Sequence, residues 1–144
     1  MPRLVVVQIE VPKGGFVKRE ADRGIEYISP FPCPFNYGHI PGVIADDGDP
    51  PDALVLGPAL ANGIQVTTTA WQRVRFVDDG NVDDKLICGD IPPDAASLAT
   101  VRRFFRVYAL ARSALNVASG KGRARFLGIA PLLTDDGLTR VETG

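Results

Sequence analysis

The sequence predicts a mainly β domain: a small barrel of short strands, with one long helix from the second half of the chain packed on it. Three observations carry that expectation. Short runs rich in β-branched residues recur along the chain, only one stretch has a convincing helical pattern, and strands do not alternate with helices as a parallel α/β sheet requires. A chain of 144 residues, 45% of them apolar, can bury a core without staples, and residues 1–144 read as a single domain.

Leu4 to Val11 is rich in β-branched residues but alternates only loosely, and Phe16 to Ala21 and Ile25 to Ile28 flank an Arg23-Gly24 turn signal. These are three short strands, the latter two a hairpin. Pro30, Pro32, Pro34, Pro41, Pro50 and Pro51 keep the next stretch out of helix, and irregular backbone is expected there. Ala53 to Leu56 reads as a buried strand, Gly63 to Val77 as a long one with room for a bend, and Leu86 to Cys88 as another short one.

The helix begins near Pro93-Asp94, where proline suits a first turn and an acid suits the dipole, and runs to about Leu115. Leu98, Val101, Phe105 and Tyr108 share one face, so that face packs on the sheet, while Arg102, Arg103 and Arg106 read as a solvated one. Trp71 and the Phe104-Phe105 pair read as packing residues. After Ser119-Gly120-Lys121-Gly122, a strand returns from Arg123 to Ile129.

The 16 Lys and Arg against 17 Asp and Glu hide an uneven distribution. Residues 46–94 carry a formal charge of −7, all ten of their acids being Asp, whereas residues 95–144 carry +5. An acidic middle speaks against a general nucleic-acid surface, because phosphate contact needs a basic face, and speaks for cations. No apolar run approaches the ~20 residues of a membrane helix, and charged Glu10 interrupts the first apolar stretch too soon for a secretory signal, so a cytoplasmic location is expected. Cys33 and Cys88 lie outside any C-x-x-C pair, which leaves a disulfide framework or thiolate zinc site without support.

The aspartates form two clusters, Asp46-Asp47-Gly48-Asp49-Pro50-Pro51-Asp52 and Asp78-Asp79-Gly80-Asn81-Val82-Asp83-Asp84-Lys85, each immediately before an apolar run. Gly48 and the two prolines make the first loop stiff enough to aim its carboxylates. Two carboxylates ~4 Å apart repel by roughly 4 kcal/mol at an effective dielectric of 20, so convergence of the clusters requires bound cations or raised pKa values. Hard oxygen ligands select Mg²⁺, Mn²⁺ or Ca²⁺, and a Mg²⁺ site of this kind completes its shell with water and substrate phosphates. Lys18, near Glu20, and Lys85 supply cations for that substrate. Acids for metal and bases for phosphate point to phosphate hydrolysis. The plain alternative is that both clusters are solvated turns, since Asp and Gly are what turns use.

Ile9-Glu10-Val11-Pro12-Lys13-Gly14, Val17-Lys18-Arg19-Glu20, Pro34-Phe35-Asn36-Tyr37-Gly38-His39-Ile40-Pro41, Asp47-Gly48-Asp49-Pro50-Pro51-Asp52-Ala53-Leu54-Val55 and Asp78 through Lys85 resemble, in order and with similar spacing, the successive signatures of soluble family I inorganic pyrophosphatases. The resemblance covers about residues 5–128, with Arg103-Phe104-Phe105-Arg106-Val107-Tyr108 similar to the family's late helix. It implies an OB-like barrel and Mg²⁺-dependent hydrolysis of pyrophosphate to two orthophosphates by a metal-activated water, with Mn²⁺ as a second cofactor and Ca²⁺ as an inhibitor. By the same resemblance Asp47, Asp52 and Asp83 hold the activating metals, and Asp78, with Asp83 and Glu10, holds those arriving with substrate. Asp49 orients or deprotonates the water, Glu20 binds metal-linked waters, and Lys18, Tyr37, Lys85 and Tyr108 grip the phosphates. Pyrophosphate and phosphate are the implied partners, without nucleic acid or membrane, and a homo-oligomer, commonly a hexamer in bacterial relatives, is the implied assembly.

Two departures bear on the phosphate grip. Ile25 stands where the family has an arginine, with Arg23 nearby, and Ala109 stands where it has a lysine, with Arg112 one helical turn on. The chain is also short beyond Gly128, where the family has a further helix. Two other readings stay open: a divergent paralogue cleaving or binding another phosphoanhydride or phosphate ester, and a non-catalytic divalent-cation-binding β-domain. An EF-hand starting at Asp79 fails because Asp84 occupies the position of the required glycine. His39, the only histidine, leaves no basis for a histidine-based site and is assigned no role.

Overall fold

Strands β1 (Arg3–Val11), β2 (Val17–Glu20), β3 (Gly24–Ile28), β4 (Asn36–His39), β5 (Val43–Ala45), β6 (Asp52–Val55), β7 (Gln65–Asp78), β8 (Asn81–Val82) and β9 (Lys85–Gly89) precede helix α1 (Ala95–Ala118), and β10 (Ala124–Pro131) and β11 (Leu138–Arg140) follow it. The computed structural model describes residues 2–15, 17–20, 24–28, 32–45, 50–132 and 138–140, with side chains described for all of these but 17–20, 24–28, 44, 45 and 138–140. Among the described residues the pairings run β1-β4-β6-β9-β7 and return from β7 to β1, so these five strands close a ring, while β8 and β10 pair the far end of β7. This is the mainly β, OB-like architecture with one long helix that the sequence predicts.

Two bulges decide which way the ring strands face. In β1, Val7 and Ile9 enter one core, and the register shifts between Ile9 and Val11, so Val11 enters the other. In β7 the shift between Ala70 and Gln72 likewise sends Ala70 to one core and Val74 and Phe76 to the other. Loose alternation in β1 and the bend expected in β7 have this common cause. The first core, which holds the helix residues Val101, Phe104, Phe105 and Tyr108, also takes Phe35, Leu54 and Ile87; the second takes Ala53, Val55, Leu86 and Cys88 from the alternate positions of β6 and β9.

Asp94 caps α1 by accepting a hydrogen bond from the Ser97 amide at 2.7 Å, which holds its carboxyl below the ordinary carboxylate range. The helix outruns the expected Leu115 to Ala118, where the Ser119 amide donates to Leu115 and Asn116 carbonyls. Its buried face is the predicted one, extended by Phe104, whose ring meets Phe35 edge-on at 5.0 Å. The paired β2 and β3 match the expected hairpin, and the Arg23 part of its turn signal lies outside the described residues.

The proline-rich stretch departs from expectation, because it contains β4 and β5. Proline excludes helix but not strand, and Pro34 and Pro41 bracket a proline-free run whose amides find partners on β1 and β6. Asn36 fixes the entry to that run: its buried amide accepts from the Lys13 and Leu60 amides at 3.0 and 2.8 Å and donates to the Val55 and Pro58 carbonyls at 3.1 and 2.9 Å.

Gly38 permits the contact between β4 and β1. A Cβ there would lie 1.8 Å from the Gln8 carbonyl oxygen, a backbone atom that cannot yield without parting the strands. Gly38→Ala is expected to cost about 3 kcal/mol or more in urea unfolding. At Gly89 the nearest atom to an added Cβ is 3.5 Å away, so Gly89→Ala should be tolerated, and equal losses in the two variants would refute the steric account.

Candidate active site

Strands β6 and β9 are parallel neighbours in register, Asp52 opposite Lys85 and Ala53 opposite Leu86. Parallel strands start at the same end of a sheet, so Asp52, the first residue of β6, arrives beside Lys85 and the adjacent Asp83 although about thirty residues separate them in sequence. That single pairing brings Asp52 to the second cluster.

Lys85 lies at the centre, 1% exposed, with its Nζ 3.3 Å from Asp52 Oδ2 and 2.9 Å from Asp83 Oδ2. Its stem is buried among apolar groups, and the ammonium sits 5.3 Å from the centre of the Phe76 ring. Burial alone would push the lysine toward its neutral form; the charges of Asp52, then Asp83, and the hydrogen bond to Asp83 outweigh it, and Lys85 is held charged, above its ordinary value. Tyr37, diagonal to Asp52 across β4 and β6, donates its hydroxyl to Asp52 Oδ2 at 3.1 Å. Tyr108 enters from α1 with its ring tilted against Phe76, the ring centres 5.5 Å apart. Burial raises its phenol against the opposing charges of Lys85 and Arg112, which favours the protonated form.

Other acids of the second cluster have structural tasks. Asp79-Gly80 is the two-residue turn between β7 and β8, both residues having positive φ (51° and 80°), as an Asp-Gly hairpin turn requires. The Asp79 carboxylate accepts from the Gly122 amide at 2.6 Å, tying the turn to the end of the α1–β10 connection. Asp84 accepts from Arg73 at 2.7 Å and from the Phe76 amide at 2.9 Å. The turn reading therefore holds for Asp79, while Asp83, between these two groups, faces Lys85.

Asp78 lies against the helix instead. Its Oδ2 accepts from Arg112 Nε at 3.2 Å and its Oδ1 from Asn116 Nδ2 at 2.6 Å. Arg112 was placed near the phosphate grip by the sequence, but Asn116 was not singled out. Its signal was there, because Tyr108, Arg112 and Asn116 recur at intervals of four and share one helix face. Glu10 is engaged by His39 Nδ1 across β1 and β4, which gives His39 a partner that sequence reasoning did not assign.

Asp47 and Asp49 lie outside the described residues, as do the side chains of Lys18, Glu20 and Ile25. Among the described residues no three His, Cys, Asp or Glu side chains form a metal-ligand set. The convergent pair Asp52 and Asp83, 20% and 29% exposed, offers hard oxygen donors open to solvent, and that donor chemistry fits a divalent cation such as Mg²⁺ or Mn²⁺.

A closed OB-like ring with carboxylates and a charged lysine gathered at the start of two parallel strands defines a β-domain equipped for cations and anions together. Residues 7–124 match the family model for inorganic pyrophosphatase, and the chain belongs to the inorganic pyrophosphatase family. It is 36% identical over 102 residues to the inorganic pyrophosphatase of Gluconobacter oxydans, covering 65% of this chain and 58% of that protein. It is 35% identical over 99 residues to the Haemophilus influenzae inorganic pyrophosphatase, covering 63% of this chain and 55% of that one. The chain thus spans little more than half the length of these curated relatives. Among solved structures it is similar to the Thermus thermophilus inorganic pyrophosphatase, with a TM-score of 0.71, 26% identity, and coverage of 89% of this chain and 82% of the other. The Coxiella burnetii enzyme gives a TM-score of 0.69 at 26% identity, covering 89% and 86%.

Removing the central charge tests the site's electrostatics. Lys85→Met keeps the stem but leaves Asp52 and Asp83 facing each other uncompensated, and should cost about 3 kcal/mol in metal-free urea unfolding. A loss below about 0.5 kcal/mol would mean that the ammonium does not hold the acids together.

Proposed function

We propose that this chain hydrolyses inorganic pyrophosphate to two orthophosphates with the help of divalent cations. The observation that carries the reading is the charged, buried Lys85 held between Asp52 and Asp83; membership of the inorganic pyrophosphatase family supports it.

Asp52 and Asp83, with Asp47, would hold the activating ions, and Asp78, with Asp83 and Glu10, those that accompany substrate. Mg²⁺ is the favoured ion, Mn²⁺ the alternative, and Ca²⁺ an inhibitor. When bound, such ions acidify water and neutralise phosphate charge. The protein's own groups do the rest. Asp49 accepts the proton of the attacking water, while Glu20 hydrogen-bonds the surrounding waters. Lys18 and Lys85 counter the negative charge of the phosphates, and the hydroxyls of Tyr37 and Tyr108 donate to their oxygens, Tyr37 exchanging Asp52 for phosphate when substrate enters. Without substrate the Tyr37 hydroxyl donates to Asp52 Oδ2. The same reading takes residues 1–144 as one catalytic domain that assembles as a homo-oligomer, a hexamer by resemblance, and works in the cytoplasm. Among the described residues no helix is long and apolar enough to cross a membrane.

Orthophosphate release from pyrophosphate with Mg²⁺, measured beside nucleoside triphosphates and simple phosphate esters, tests the activity. Pyrophosphate should be the preferred substrate and chelation should stop turnover; release confined to the other substrates would replace this reading with the paralogue. Asp52→Asn should lower kcat at least 100-fold while shifting the unfolding midpoint little, because the amide keeps the side chain's shape but loses the charge. A rate near wild type would remove Asp52 from the machinery.

A further inference from the structure

We infer that Arg112 is a phosphate-binding residue of this site and that Asp78 and Asn116 are the groups that position it. The inference rests on the reading that the pocket takes phosphate. It begins with the helix face: Tyr108, Arg112 and Asn116 follow at four-residue steps, so α1 presents them in a row along one side. Tyr108 at one end of that row has its ring 5.5 Å from that of Phe76, and the Lys85 ammonium lies 5.3 Å from the same Phe76 ring. Arg112, one helical turn on and bound to Asp78, therefore continues the row from the pocket built around Lys85.

The hydrogen bonding of Arg112 is selective. Only Nε is engaged, by Asp78 at 3.2 Å, and among the described residues neither terminal nitrogen has a partner. A carboxylate bound at Nε fixes the plane of the guanidinium and leaves the pair of terminal nitrogens, the fork that matches two oxygens of one phosphate. The side chain is 27% exposed, so the fork is open to a ligand from solvent. Asp78 is held in turn: Asn116, 4% exposed, donates to its other oxygen at 2.6 Å. A carboxylate used only as a surface ion-pair partner has no need of a buried amide on its second oxygen, whereas one that must keep a guanidinium in a set plane does. Ala109 carries no charge, and Arg112 supplies the cation on this side of the helix.

Phosphate binding separates this role from a mere tie between α1 and β7. In calorimetric titration of the full chain with inorganic phosphate in the presence of Mg²⁺, Arg112→Ala should weaken binding about 10-fold or more. Arg112→Lys, which keeps the charge and the ion pair but not the fork, should recover only part of the loss. Asn116→Ala should weaken phosphate binding with Arg112 present and add little when Arg112 is already alanine, since it acts on that residue through Asp78, whereas Asp78→Ala should cost more than Arg112→Ala because it also removes a metal ligand. In pyrophosphate hydrolysis Arg112→Lys should raise KM more than it lowers kcat. Phosphate affinity unchanged in both Arg112 variants, with stability alone reduced, would overturn the inference and leave the hydrolytic function standing. Phosphate binding that depends on Arg112 in a chain unable to hydrolyse pyrophosphate would do the reverse. A wild-type chain that binds no phosphate would overturn it as well.

Discussion

A buried ammonium cannot be left alone, and the organisation of this domain follows from meeting that demand. Lys85 is enclosed by Phe76 and the first core, and it remains charged because Asp52 and Asp83 reach it from two different segments. The converse holds too: the two carboxylates would repel each other without it. Each partner is tolerable only because the others are present, and that mutual dependence fixes where β6 and β9 begin.

The ring makes the arrangement possible. An antiparallel neighbour would have started β9 at the opposite end from β6 and sent Asp83 away from Asp52. The parallel pair, closed into a ring by β1, β4 and β7, places Asp52 and Lys85 at one end, and the bulges in β1 and β7 turn Val11, Val74 and Phe76 toward the helix. The helix then serves two purposes on one surface. Val101, Phe104 and Phe105 bury apolar area against the ring, and Tyr108, Arg112 and Asn116 continue the same side of the helix into the polar site. Packing precision thereby becomes positional precision for the polar groups.

Much of this was legible along the chain. The helix could be read from period, and the turn alternative offered for the aspartate clusters holds at Asp79-Gly80. The strand β4 could not, since its only local signal is the absence of proline between Pro34 and Pro41 and its hydrogen-bond partners lie on β1 and β6. Gly38 likewise has an ordinary appearance in sequence, and its necessity depends on a carbonyl thirty residues away. The sorting of the second cluster into Asp79 and Asp84 for structure, Asp83 for Lys85 and Asp78 for the helix was equally invisible, because four aspartates are chemically identical until neighbours distinguish them.

By itself the sequence determined composition-level and local properties: a mainly β domain with one amphipathic helix and a centre rich in aspartate. Those depend on residue type and on contacts within a few positions, which spacing records. Tertiary structure alone decided which carboxylates share a lysine, that His39 meets Glu10, and that Arg112 is held by Asp78 with its fork left over. These are relations between segments distant in the chain, set by strand register, bulges and the packing of the helix, and a one-residue slip of β6 or β9 would turn that strand's side chains to the other face.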